Sequence, residues 1–228
     1  MVVFIHGWES ASSRFEHRMK MFRQNGFHTL TFDMRGHGES GATSEWTAGK
    51  VIDDLKGILS EIDSKIVRNT HFYGHSLGGF ITLGMQNERH VGWWKDRIGT
   101  IILESPMTGY SPVLKDLSGK LSFLYPLLRR YALAGFNRIH PEVGGLQWED
   151  IDVPNWGLPT CDLLVLQAAN DARLGRIHYD LLLSQNLKCH VESHLIESLS
   201  HSRNEVNSER DDLILNWINK INSNHSSS

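Results

Sequence analysis

A serine hydroxyl is a weak nucleophile at neutral pH, so a chain that uses one must expose it and set a base beside it. Gly74-His75-Ser76-Leu77-Gly78-Gly79 offers such a serine, between an apolar run that ends at Gly74 and a helix-compatible run from Gly78 to Gln86. A sharp strand-to-helix turn would lift Ser76 clear of the backbone. Glycine two residues before and two after it removes the Cβ groups that would obstruct so tight a crossing. The same pattern fits a merely structural turn, and its place at a strand-to-helix junction is what favours the nucleophile. A base for Ser76 has to be a histidine, and with 13 in the chain, nearness in sequence selects none of them.

Three stretches carry a resemblance. Phe4-Ile5-His6-Gly7-Trp8 comes first, then Asp33-Met34-Arg35-Gly36-His37-Gly38-Glu39-Ser40, then the serine turn. In that order they resemble the α/β-hydrolase superfamily, and most of all its lipase, esterase and monoglyceride-lipase-like members. The likeness covers nearly the whole chain apart from one insertion.

The resemblance implies a set of roles. Ser76 would be the nucleophile. The backbone N–H groups of Leu77 and of Trp8 would form the oxyanion hole, meeting the charge that develops on the attacked carbonyl. The family's chain order runs serine, acid, histidine, on loops after successive strands. His201, in Leu199-Ser200-His201-Ser202, stands where the family places its base, and Asp171, in Gln167-Ala168-Ala169-Asn170-Asp171, where it places its acid. His194 is the rival base, but it lies inside a strand-like alternation. Glu104 is the alternative acid, because some relatives draw theirs from the end of the fourth strand. Asp33 matches a turn residue of structural role, and His75 reads as a structural or pocket-lining neighbour.

Those groups meet only if the elements between them converge. Apolar or alternating runs predict strands over Val2–Ile5, Phe27–Phe32, His71–Gly74, Ile98–Leu103, Leu163–Gln167 and His190–Ile196. Helical spacing predicts helices over Ser13–Gln24, stopped at Gly26, and over 47–62, 78–86, 177–185 and 205–221, with a frayed tail from Asn222 to Ser228. Alternation of strand and helix implies an α/β fold, a doubly wound, mostly parallel sheet of about six strands with helices on both faces. Typical family members begin with two further strands. Here the His-Gly strand comes first, so Phe27–Phe32 should be a sheet edge, and its polar His28, Thr29 and Thr31 suit one. A second copy could pair there as a homodimer.

Between Ser105 and Thr160 the alternation breaks. The chain's prolines fall there, with Trp148, Trp156 and a helix-like run from Leu121 to Leu133. A structureless loop of that length would not suit a compact domain. We expect a single domain over 1–228, with 105–160 a helical cap. Leu121, Phe123, Leu124, Leu127, Leu128, Tyr131 and Phe136 are expected to make that cap apolar enough for acyl chains, or simply to pack it on the domain.

Composition bounds the rest. A 40% hydrophobic and 21% charged chain is ordinary for a globular protein, and a net charge of −3 provides no basic field for nucleic acid. Two cysteines, Cys161 and Cys189, read as small buried hydrophobes and fit a reducing, cytoplasmic setting. No run of 18 apolar residues predicts a membrane span, and no ligand spacing or phosphate loop predicts a metal or cofactor. The expected reaction is cleavage of a small-molecule ester with a short or medium acyl chain, through an acyl-enzyme. Thioesterases, amidases and C–C bond hydrolases use the same layout, and a non-catalytic ligand-binding protein shares the fold.

Overall fold

The computed structural model describes residues 1–141, 145–202 and 206–226. Six strands form one all-parallel sheet: β1 (Val2–Ile5), β2 (Thr29–Thr31), β3 (Thr70–His75), β4 (Ile98–Glu104), β5 (Asp162–Ala168) and β6 (Val191–Ile196), in the order β2-β1-β3-β4-β5-β6. β2 is an edge, as its polar residues led us to expect, and it is three residues long instead of six. β1, wholly apolar, is wholly buried, as befits a parallel strand covered on both faces.

The helices are α1 (Glu16–Gln24), α2 (Ala48–Ser60), α3 (Leu77–Gly84), α4 (Tyr110–Ser118), α5 (Tyr125–Ile139), α6 (Ile177–Leu183) and α7 (Ser208–Ser226). α1, α2, α3, α6 and α7 turn apolar residues to the sheet. Val51, Ile52, Leu55 and Leu59 of α2 join Val3, Ile5, Phe80 and Leu182 in one core layer. Phe22 of α1 and Ile214, Trp217 and Ile218 of α7 pack with Val2 and Phe4 on the opposite face. Local signals set the ends. Thr47 caps α2 by accepting the Lys50 N–H at 3.2 Å. α1 closes as the sequence predicts, at Gly26, whose φ of +84° lets Phe27 N–H reach Phe22 O and Gly26 N–H reach Arg23 O, both at 3.1 Å.

Two expectations need correcting. α7 continues through Ser226, so the backbone from Asn222 is helical where a frayed tail was expected; Glu205, its expected start, lies outside the described residues. The stretch between β4 and β5 is helical as expected, but it holds α4 as well as α5, joined by a 3-10 turn over Gly119–Leu124. Leu121, Phe123, Leu127 and Tyr131 of this insertion face solvent. These four line neither of the two cavities described below; the insertion supplies Tyr110, Val113 and Leu117 of α4 to the first and, of the residues expected to be apolar lining, Phe136 to the second. Cys161 and Cys189 are free and only partly buried, at the edge of a core layer; burial and the neighbouring Cys189 push the Cys161 thiol up to about 12. Among the described residues, no helix is long and apolar enough to cross a membrane.

Candidate active site

Parallel strands place their C-terminal ends on one side of the sheet, where ligands of open α/β sheets bind. Register does this here: Ile5 pairs with Gly74, His75 with Glu104, Glu104 with Leu166, and Ala168 with Ile196. The loops that follow β1, β3, β5 and β6 therefore leave the sheet together.

Ser76 links β3 to α3 with φ +54° and ψ −120°, a strained conformation for a residue with a side chain. Close packing enforces it. A Cβ on Gly78 would lie 1.9 Å from the Ile5 carbonyl oxygen, and one on Gly74 would lie 2.5 Å from the Gly78 oxygen. The turn is further pinned by Ser76 N–H donating to Glu104 O and Met107 N–H donating to Ser76 O, each at 3.0 Å.

The structure brings Ser76, His201 and Asp171 together. His201 Nδ1 lies 2.8 Å from Asp171 Oδ2, and Nε2 lies 2.9 Å from Ser76 Oγ. With Nδ1–H donating to the carboxylate, Nε2 keeps its lone pair for the serine proton. Asp171 is held from several sides: Gln167 Nε2 donates to Oδ2 at 3.1 Å, and the N–H groups of Arg173 and Leu174 donate to Oδ1 at 2.9 Å. Burial alone would raise its pKa, but the bonds from His201 and these amides outweigh it and hold the carboxyl down at about 2. The acid therefore stays an anion that can support a histidine cation.

His194, the rival base, bonds Glu192 on β6 and does not line the cavity above Ser76. Glu104, the alternative acid, is committed elsewhere. Its carboxylate takes two bonds from Arg18, at 2.6 and 2.8 Å, and one from the Tyr73 hydroxyl, with Arg210 at 3.5 Å. Burial raises its pKa and the two guanidiniums pull it below the usual carboxylate range.

Leu77 opens α3, so its N–H is among those a helix leaves without an intrahelical acceptor. The Gly7 backbone passes against the serine, since a Cβ there would sit 3.0 Å from Ser76 Cβ, and Trp8 follows it at the cavity rim. The Trp8 ring is half exposed and meets His37 and Trp46 edge-on. His6, unremarked in the sequence beyond its motif, steadies this loop: Nδ1–H donates to Gly7 O at 2.8 Å and Nε2 accepts the Met34 N–H at 3.0 Å. Asp33 is structural, as its match implies; it accepts N–H bonds from Ser12 and Glu39.

His75 does more than line the pocket. Its Nε2–H donates to the backbone carbonyl of His201 at 2.8 Å, and burial draws its pKa down to about 4, so it stands neutral. No sequence pattern announces this contact, or that of Gln167 with Asp171, because both depend on which loops meet. The serine opens into a cavity of about 690 Å³, with apolar walls from Leu77, Met107, Tyr110, Val113 and Leu117, within the usual range for small-molecule sites.

The family model for serine aminopeptidases, S33, matches residues 1–218. The chain belongs to this family of α/β hydrolases. The hydrolase is 28% identical over 139 residues to phospholipase YtpA of Bacillus subtilis, a match covering 57% of this chain and 50% of that one. It is 35% identical over 77 residues to protein phosphatase methylesterase 1 of Candida albicans, covering 33% of this chain and 21% of that one. The aligned stretches thus span at most half the length of either relative. Alpha/beta hydrolase domain-containing protein 10 from mouse superposes with a TM-score of 0.69 at 18% identity, covering 98% of this chain and 89% of that one. That likeness shows the fold.

Proposed function

We propose that this hydrolase cleaves carboxylic esters with Ser76 as nucleophile, His201 as base and Asp171 as its orienting acid. The continuous bond series Asp171–His201–Ser76, at 2.8 and 2.9 Å, carries the reading. Ser76 Oγ attacks the ester carbonyl while its proton passes to His201 Nε2. The carbonyl oxygen, now negative, is met by the N–H groups of Leu77 and Trp8. As the tetrahedral intermediate collapses, the C–O bond to the alcohol breaks and His201 returns the proton to the leaving oxygen. Water then attacks the acyl-enzyme by the same route, releasing the acid and restoring Ser76–OH.

The apolar walls of the cavity support an acyl chain of short or medium length, and a methylesterase and a phospholipase among the relatives support an ester. The helical insertion, which contributes Tyr110, Val113 and Leu117, acts as the cap over that chain. A panel of p-nitrophenyl esters on wild type and Ser76→Ala tests the reading. We expect hydrolysis by wild type and a loss of at least about 10³-fold in kcat for the variant. Labelling by a fluorophosphonate probe should occur at Ser76 alone. Equal rates in the two proteins, or an unlabelled Ser76 in the native fold, would reject it and favour a ligand-binding protein.

A further inference from the structure

A second cavity, of about 340 Å³, adjoins the first at Tyr110. Its apolar walls include Tyr110, Phe136, Leu146, Ile151 and Trp156, and its polar side carries Asp53, Lys56, Arg89, His90 and His140. Among the described residues, Tyr110 is the one that lines both spaces. We propose that the Tyr110 ring is the partition that sets how long an acyl chain the site accepts, and that the space behind it is a distal acyl subsite. This rests on the ester-hydrolase reading above.

The partition is held firmly. Tyr110 begins α4 and meets Phe80 edge-on at 5.3 Å and Phe136 at 5.0 Å. Phe80 in turn stacks on Trp156 at 4.3 Å, and Trp156 Nε1–H donates to Phe80 O at 2.6 Å. The Tyr110 hydroxyl faces the Ala48 backbone at the start of α2, and burial raises the phenol's pKa and keeps it protonated. The ring is thus held between Phe80 and Phe136.

An acyl chain running from Ser76 along Leu77, Met107 and Val113 meets this ring before it can reach Phe136 or Trp156. Up to the ring, each buried methylene strengthens binding by about fourfold. Beyond that length, a further methylene has nowhere dry to go, and the gain stops. Removing the ring joins the two spaces, and the aromatic and aliphatic walls of the second one become available to the chain end.

The test is the dependence of kcat/KM on acyl length, from C2 to C16 p-nitrophenyl esters, in wild type, Tyr110→Phe and Tyr110→Ala. Tyr110→Phe keeps the ring and should keep the wild-type optimum. Tyr110→Ala should move the optimum up by about four carbons, raising the ratio of long- to short-chain kcat/KM by at least about 10-fold. Adding Phe136→Trp to Tyr110→Ala refills the second space and should move the optimum back. If Tyr110→Ala does not fold, Tyr110→Leu takes its place.

An unchanged optimum in the folded alanine or leucine variant overturns the proposal. So does an equal shift in Tyr110→Phe, which would assign the effect to the hydroxyl. Should wild type cleave no ester and resist the fluorophosphonate, the ester reading fails separately. The partition is then read from equilibrium binding of hexanoate and laurate. Laurate must gain on hexanoate in Tyr110→Ala relative to wild type, or the proposal falls.

Discussion

A hydrogen bond to a main-chain carbonyl can decide where a side chain points, and His75 makes such a bond to His201. Net of solvent, a partly buried bond of this kind contributes about 1 kcal/mol, near a factor of ten in rate if spent on alignment. We expect His75→Phe, which keeps the ring shape and loses the donor, to lower kcat about 10-fold with KM little changed. His75→Gln restores an N–H at similar reach and should recover much of that loss. A parallel rise in KM in steady-state kinetics would instead mark His75 as a binding group. Ser76 was legible because glycine spacing at a strand-to-helix junction has a steric cause. His201 and Asp171 were picked out only through the chain order that the family resemblance implies. His75, His6 and Gln167 act through loops that meet only in three dimensions, and no spacing encodes that.

Glu104 ties three elements into one. It ends β4, takes two bonds from Arg18 of α1, and lies 3.5 Å from Arg210 of α7. Arg210 also bonds Asp211, which bonds His17 of α1. Removing one member of a buried ion pair leaves a charge without solvent or partner, at a cost of about 3–5 kcal/mol. Glu104→Ala should lose stability on that scale in urea unfolding, and Arg18→Met with Glu104→Leu should recover a large part of it. Glu104 was the alternative acid because some relatives draw theirs from that strand end, but a position there says nothing about which way the carboxylate turns. The strands themselves were read to within a few residues, since continuous apolar runs have one explanation in a parallel sheet. α4 was missed: Pro112 sits in its first turn, where proline is tolerated, and a proline-rich stretch otherwise reads as loop. The solvent-facing apolar residues of the insertion misled for a related reason, since hydrophobicity marks no direction.

Among the described residues, burial lowers the pKa of His6, His75, His90 and His178, and for the last three the shift is large. His75, His90 and His178 are each drawn down to about 4 in the folded chain, against about 6.5 when unfolded. Between those values the unfolded chain binds more protons, so stability falls as pH drops from 6.5 toward 4 and is insensitive to these groups above that window. Melting temperature measured from pH 8 to pH 4.5 should be level at first and then decline, with uptake of up to about three protons on unfolding near pH 5. His90→Gln should flatten the decline by about one proton. A melting temperature that holds constant down to pH 4.5 would contradict the burial of these rings. The abundance of histidine was plain in the sequence, but which of them packing shields is a property of the folded whole.

The contact between Gly78 and the Ile5 carbonyl has an asymmetric consequence. Ile5 enters it with an oxygen that every amino acid possesses, whereas position 78 enters with a hydrogen that only glycine can present. Variation at the first strand thus leaves this spacing intact, and the entire burden of preserving it rests on a residue that takes no part in any bond-making step.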